Sequence, residues 1–93
     1  MEFISGNIFI RPNKLEQKGD MVQGHTHNFD HTTIFFTGSF HVKAKKPDGS
    51  TLERDFFAPS HCLIKAEYEH EITALEDKSE FWCIYSHRTP QGK

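Results

Sequence analysis

GDMVQGHTHNFDHTTIFFTG, residues 19–38, is the stretch on which the reading of this chain turns. It runs Gly19, five residues, His25-Thr26-His27, three residues, His31, six residues, Gly38. Residues two apart on a strand share a face, so His25 and His27 project to the same side. Two such imidazoles can converge on one ion. His31, a few residues on and after a bend, can approach from a neighbouring strand. Neutral imidazole is the commonest metal ligand, bound at about 2.0–2.1 Å in the case of zinc. The fourth candidate is His70, at the start of a short run in which Ile72 and Ala74 hold the apolar face. That parity points His70 inward, where it must meet a metal, a carboxylate or a backbone carbonyl.

Outward from this stretch the chain reads as strand after strand, with no helical stripe. Ile8 and Ile10 alternate in a first strand that is expected to stop at Arg11-Pro12-Asn13. Phe40, Val42 and Ala44 alternate with His41, Lys43 and Lys45. Pro47-Asp48-Gly49-Ser50 is a turn signal, and Thr51–Phe56 completes a hairpin. Ala58-Pro59-Ser60 breaks the chain. Cys62–Ile64 and His70–Leu75 flank a turn at Ala66–Glu69. The last strand, Glu80–Ser86, puts Phe81, Cys83 and Tyr85 on one face and Trp82 and Ile84 on the other. Many short strands at close spacing predict a sandwich or a barrel. Short strands and charged turns exclude a lipid-facing barrel.

The chain has 93 residues and a net charge of −2. That length predicts one domain, residues 1–93, with a barrel over about 8–86 and a loose tail at 87–93. No basic footprint suits nucleic acid or an anionic membrane, and Lys43–Lys46 is a short solvated strand end. No signal peptide and no apolar run of membrane-spanning length is read, so a reduced, cytoplasmic setting is expected. The two cysteines make no disulfide framework. Nine Phe suit a sheet-rich core, whereas seven His ask for a chemical reason.

The stretch from Gly19 to Gly38 resembles the first motif of the cupin superfamily: Gly, five residues, His-x-His, three or four residues, Glu, six residues, Gly. Every spacing matches, and His31 stands where the family usually has Glu. The second cupin motif, Pro-x-Gly, two residues, His, three residues, Asn, retains His70. Lys65 replaces its Pro, Glu67 its Gly and Ala74 its Asn. The resemblance covers about Ile8 to Tyr85 and implies an all-β double-stranded β-helix, or jelly-roll barrel. It also implies one divalent transition metal inside, on His25, His27 and His70, with His31 as ligand by substitution. Four neutral imidazoles leave the full charge on the ion and suit Fe, Mn, Ni, Cu or Zn over Mg or Ca.

What the resemblance implies for function is a metal-dependent dioxygenase acting on a small organic molecule. Two alternatives stand beside it. One is lyase or isomerase chemistry with the metal as a Lewis acid. The other is a non-catalytic binding or structural module. Candidate substrate-pocket residues are Phe35, which shares a face with His31 and Thr33, and Cys83 and Tyr85. Core packing is the competing reading for all three, as it is for Phe29 and Phe36. His61 reads as a solvated loop residue, His41 as surface, and His87 lies past the last strand. The small size argues for a homodimer, which buries more apolar area per chain.

Overall fold

The computed structural model describes residues 2–24, 26 and 30–86. His25, His27, Phe29, His87 and the tail at 87–93 lie outside the described residues. The strands are β1 (Phe3–Ser5), β2 (Ile8–Leu15), β3 (Met21–Val22), β4 (His31–Thr37) and β5 (Ser39–Lys45). They continue with β6 (Thr51–Phe57), β7 (Ser60–Ile64), β8 (Glu69–Ala74) and β9 (Ser79–Ser86). All pairings are antiparallel, in one sheet ordered β1-β2-β9-β4-β7 and another ordered β3-β8-β5-β6.

β2, the strand read from Ile8 and Ile10, is longer than its sequence suggests. It passes through Arg11-Pro12-Asn13 to Leu15 and pairs along its length with β9. Proline is tolerated there because β1 pairs no further than Ile10, which leaves β2 an open edge beyond that point. β1 and β3 were too short to show a period in the sequence. The other runs fall where alternation puts them. Lys46 to Ser50 closes the β5–β6 hairpin. Its backbone bonds are Lys46 N–H to Ser50 O at 2.8 Å and Gly49 N–H to Lys46 O at 2.9 Å. The Asp48 carboxylate accepts from the Ser50 amide at 2.9 Å and holds the turn. β7 and β8, neighbours in sequence, lie in different sheets.

The two sheets meet face to face over a phenylalanine cluster. Phe35 of β4 packs on Phe40 of β5 with centroids 4.8 Å apart, and stacks on Phe56 of β6 at 5.0 Å. Phe81 of β9 meets Phe40 edge-on at 5.6 Å. Leu15, Val42, Ile72 and Ala74 complete this core. Each fully buried Phe contributes about 1.5–3 kcal/mol of transfer free energy. Phe35 is wholly buried in this cluster. It is therefore core and not a pocket wall: it shares the His31 and Thr33 face but lies one step deeper, against the opposite sheet.

The outer faces differ. On the smaller sheet His41 carries a carboxylate on each ring nitrogen: Asp55 on Nδ1 at 2.7 Å and Glu53 on Nε2 at 2.8 Å. On the larger sheet, Ile10, Ile84, Thr32 and Leu63 form one cross-strand row, and Pro12, Trp82, Ile34 and His61 the next. Phe36 packs edge-on against Trp82 with centroids 4.8 Å apart. His61 is exposed as expected, but on β7 and not in a loop.

Gly38 is where the chain crosses from β4 in one sheet to β5 in the other. Its φ is +88°, and a Cβ there would overlap the Ser79 side chain and lie 2.9 Å from its Cα. Gly38→Ala therefore combines left-handed strain with overpacking and should destabilise the protein by about 2–4 kcal/mol, read as a lower urea midpoint. His41 supplies a second expectation. The imidazolium alone can donate on both sides, so Asp55 and then Glu53 raise its pKa above the ordinary 6.5. The stabilisation this pairing gives is fully present below 6.5 and fades as pH rises through the raised value. An NMR titration should find the His41 midpoint above 6.5, moving down in Asp55→Asn.

Candidate metal centre

β4 and β8 belong to opposite sheets, and His31, the first residue of β4, and His70, the second of β8, both aim into the space between them. His31 and His70 are both buried. Their ring centroids are 5.3 Å apart and the rings are tilted by 55°. An imidazole centroid stands about 3 Å from a metal bound at about 2.0–2.1 Å, so two ligands near the tetrahedral angle have centroids about 5 Å apart. The pair thus fits one shared ion. Among the described residues no group of three or more potential ligands gathers, and these two are the part of the candidate set that the structure brings together.

The described residues on either side of the stretch with His25 and His27 lie near this pair, Gly24 against the His70 backbone and Asp30 next to His31. Gly24 lies so close to the His70 backbone that a Cβ on it would fall on the His70 carbonyl. Asp30 precedes His31, and its carboxylate accepts from the Ala66 amide at 2.7 Å. That bond ties the first histidine stretch to the Lys65–Tyr68 turn ahead of His70, which Tyr68 N–H to Lys65 O closes at 3.2 Å. In this turn Glu67 has φ of +69°. It is the position at which the second cupin motif has glycine, the residue that adopts such a φ most freely.

A cavity of about 300 Å³ opens at the two histidines. Its walls follow from register. Phe9, Arg11 and Asn13 on β2 stand opposite Tyr85, Cys83 and Phe81 on β9, and all six line it. Val22, Gly24, His70 and Ile72 line the other side. Cys83 and Tyr85 thus face the cavity, whereas Phe35 does not. The sequence reading missed Arg11 and Asn13 because it ended the first strand at Arg11. Carried two residues further, the same alternation would have put both beside Phe9. Glu2 also reaches the cavity and accepts from Arg11 Nε and Nη2, each at 2.7 Å.

The wall is electrostatically quiet inside and charged at the mouth. Burial, above all, raises the Cys83 pKa, while the Thr33 hydroxyl, 3.9 Å from its sulfur, and Arg11 lower it. Burial also raises Tyr85, with Glu2 adding to the effect and Arg11 opposing it. Both groups therefore keep their protons at neutral pH. Cys62, pushed up to about 11 by burial and then by Cys83, is a still weaker nucleophile. Thr33 stands opposite Cys83 on one side and Cys62 on the other. The two thiols are therefore two strands apart, about 9–10 Å, beyond the reach of a disulfide.

No family model and no curated protein sequence matches this chain. Its structure is similar to oxalate decarboxylase of Bacillus subtilis. A serine-to-alanine variant of that protein aligns with a TM-score of 0.77 at 21% identity, over 86% of this chain and 21% of the other. A tryptophan-to-tyrosine variant aligns with a TM-score of 0.78 at 19% identity, over 92% and 23%. The chain therefore spans about a fifth of the length of these proteins. At this level of identity the likeness is one of fold, and with its two antiparallel sheets the chain has the cupin fold.

Proposed function

We propose that this chain is a metal-dependent cupin enzyme acting on a small organic molecule, of the dioxygenase type. The observation that carries the reading is the His31–His70 pair, buried, 5.3 Å apart and facing a cavity of about 300 Å³. His31 and His70 would hold the ion together with His25 and His27. A bound transition metal would supply Lewis acidity and, where redox-active, a route for dioxygen. The protein's own part is read from its walls. Phe9, Ile72 and Phe81 exclude water, and the Tyr85 hydroxyl and Cys83 thiol present protons to whatever enters. The cavity volume lies at the low end for ligand sites, which favours a substrate of few atoms.

A lyase reading has one observation in its favour: the similar structures are named as a decarboxylase. The two chemistries separate on oxygen, because turnover that survives strict anaerobiosis belongs to the lyase. Metal analysis of protein purified without chelator comes first. One equivalent of a first-row metal in the wild type, lost in His70→Ala with the fold intact by circular dichroism, is the expected result. A wild type that takes up no metal even on reconstitution would sink the proposal.

The outer face of the larger sheet supports a homodimer as the working form. Ile10, Ile34, Phe36, Leu63, Trp82 and Ile84 give it an apolar stretch, bordered by Lys14 and by Glu80, which accepts from Trp82 Nε1 at 2.8 Å. A second copy is the occupant chosen, since a two-fold axis sets the same apolar rows against each other. Light scattering at tens of micromolar should give a dimer mass that Trp82→Glu converts to monomer. A wild-type monomer would count against it.

A further inference from the structure

We propose that Arg11 anchors a carboxylate group of the substrate, and that Glu2 is an internal stand-in which the substrate displaces. The proposal rests on the reading of the cavity as a substrate site and names the chemical class that the cavity takes. Among the described residues lining the cavity, Arg11 is the one Lys or Arg and Glu2 the one acid. Arg11 is not a bystander of the rim. It faces Cys83 across the β2–β9 ladder, in the row between Phe9–Tyr85 and Asn13–Phe81, so its stem is set among wall residues.

Its guanidinium already holds a carboxylate, with Nε and Nη2 both on Oε2 of Glu2 at 2.7 Å. That shows which group the fork accepts at the cavity mouth. Planar bidentate donors suit a carboxylate, whose single charge one guanidinium balances, whereas a phosphate dianion would keep an unbalanced charge. The existing pair is weak enough to be exchanged. The side chains are 48% and 40% exposed, and ion pairs so exposed hold little net free energy. Glu2 precedes β1, a three-residue strand at the edge of its sheet, so its departure breaks no ladder beyond β1–β2.

Acetate and malonate are the probes, titrated into wild type, Glu2→Gln and Arg11→Gln, with and without metal. Binding is read from the Arg11 Nε–H resonance and from calorimetry. Glu2→Gln should bind acetate about two- to fivefold more tightly, the range for releasing an exposed ion pair, because the competing carboxylate is gone. Arg11→Gln should bind at least about tenfold more weakly, with unchanged thermal midpoint and unchanged metal content. Acetate affinity that is equal or weaker in Glu2→Gln, or that survives Arg11→Gln, overturns the proposal. The metal-free arm separates the two readings. Arg11-dependent acetate binding in a protein that never takes metal sinks the metal enzyme alone. Metal uptake with Arg11-independent acetate binding sinks this inference alone.

Discussion

The register of β9 between β2 and β4 is the constraint from which the interior follows. β9 is paired on both sides, and its odd-numbered residues Phe81, Cys83 and Tyr85 all face the opposite sheet. A slip of one residue would turn that set to solvent and bring Trp82 and Ile84 inside. The neighbours would then meet the wrong partners. Asn13 and Phe35 flank Phe81, and Arg11 and Thr33 flank Cys83. The inward rows therefore differ in chemistry, from one centred on Phe35 and Phe81, through one with Thr33 and Cys83, to the one that holds Tyr85.

This layering separates stability from chemistry along one axis. At one end Phe35, Phe40 and Phe81 are packed dry, and Ser79 is held under Gly38 by a hydroxyl bond to the Glu76 carbonyl at 2.9 Å. At the other end His31 and His70 bring polar rings into the same interior. Burying a polar ring is costly unless its hydrogen-bonding atoms are engaged. The opposite end of the same interior is filled with aromatic side chains. The glycine at the β4–β5 crossing belongs to the stability end, and Gly24 against His70 to the chemical end.

Much of this was legible in the sequence because alternation is a direct consequence of the pleat. The hairpin across Pro47–Ser50, the inward face of β9 and the inward aim of His70 needed no tertiary knowledge. Cross-sheet depth did not appear in the pattern. His31, Thr33 and Phe35 share one parity, yet only the structure shows that Phe35 has passed the cavity floor and joined the core. Arg11 was hidden for a different reason. Proline signals a strand end in general, and its tolerance here depends on β1 stopping short, a fact of pairing that composition does not carry. The positive φ of Glu67 was equally invisible, since the residue type argues against the conformation that the turn imposes.

Charge balance links the histidines to the mouth of the cavity. Imidazole ligands are neutral, so a divalent ion held by them keeps its charge in surroundings where isolated charge is expensive. The one acid among the described lining residues is Glu2, and it is committed to Arg11. On the reading proposed above, an anion that enters would meet part of the charge of a loaded site. An anionic substrate supplies that charge and finds a cation at the mouth, whereas a neutral one would leave both the ion and Arg11 as they were. On the reading proposed above, histidine in place of the usual glutamate at position 31 is a neutral ligand where an acid would have met part of the ion's charge.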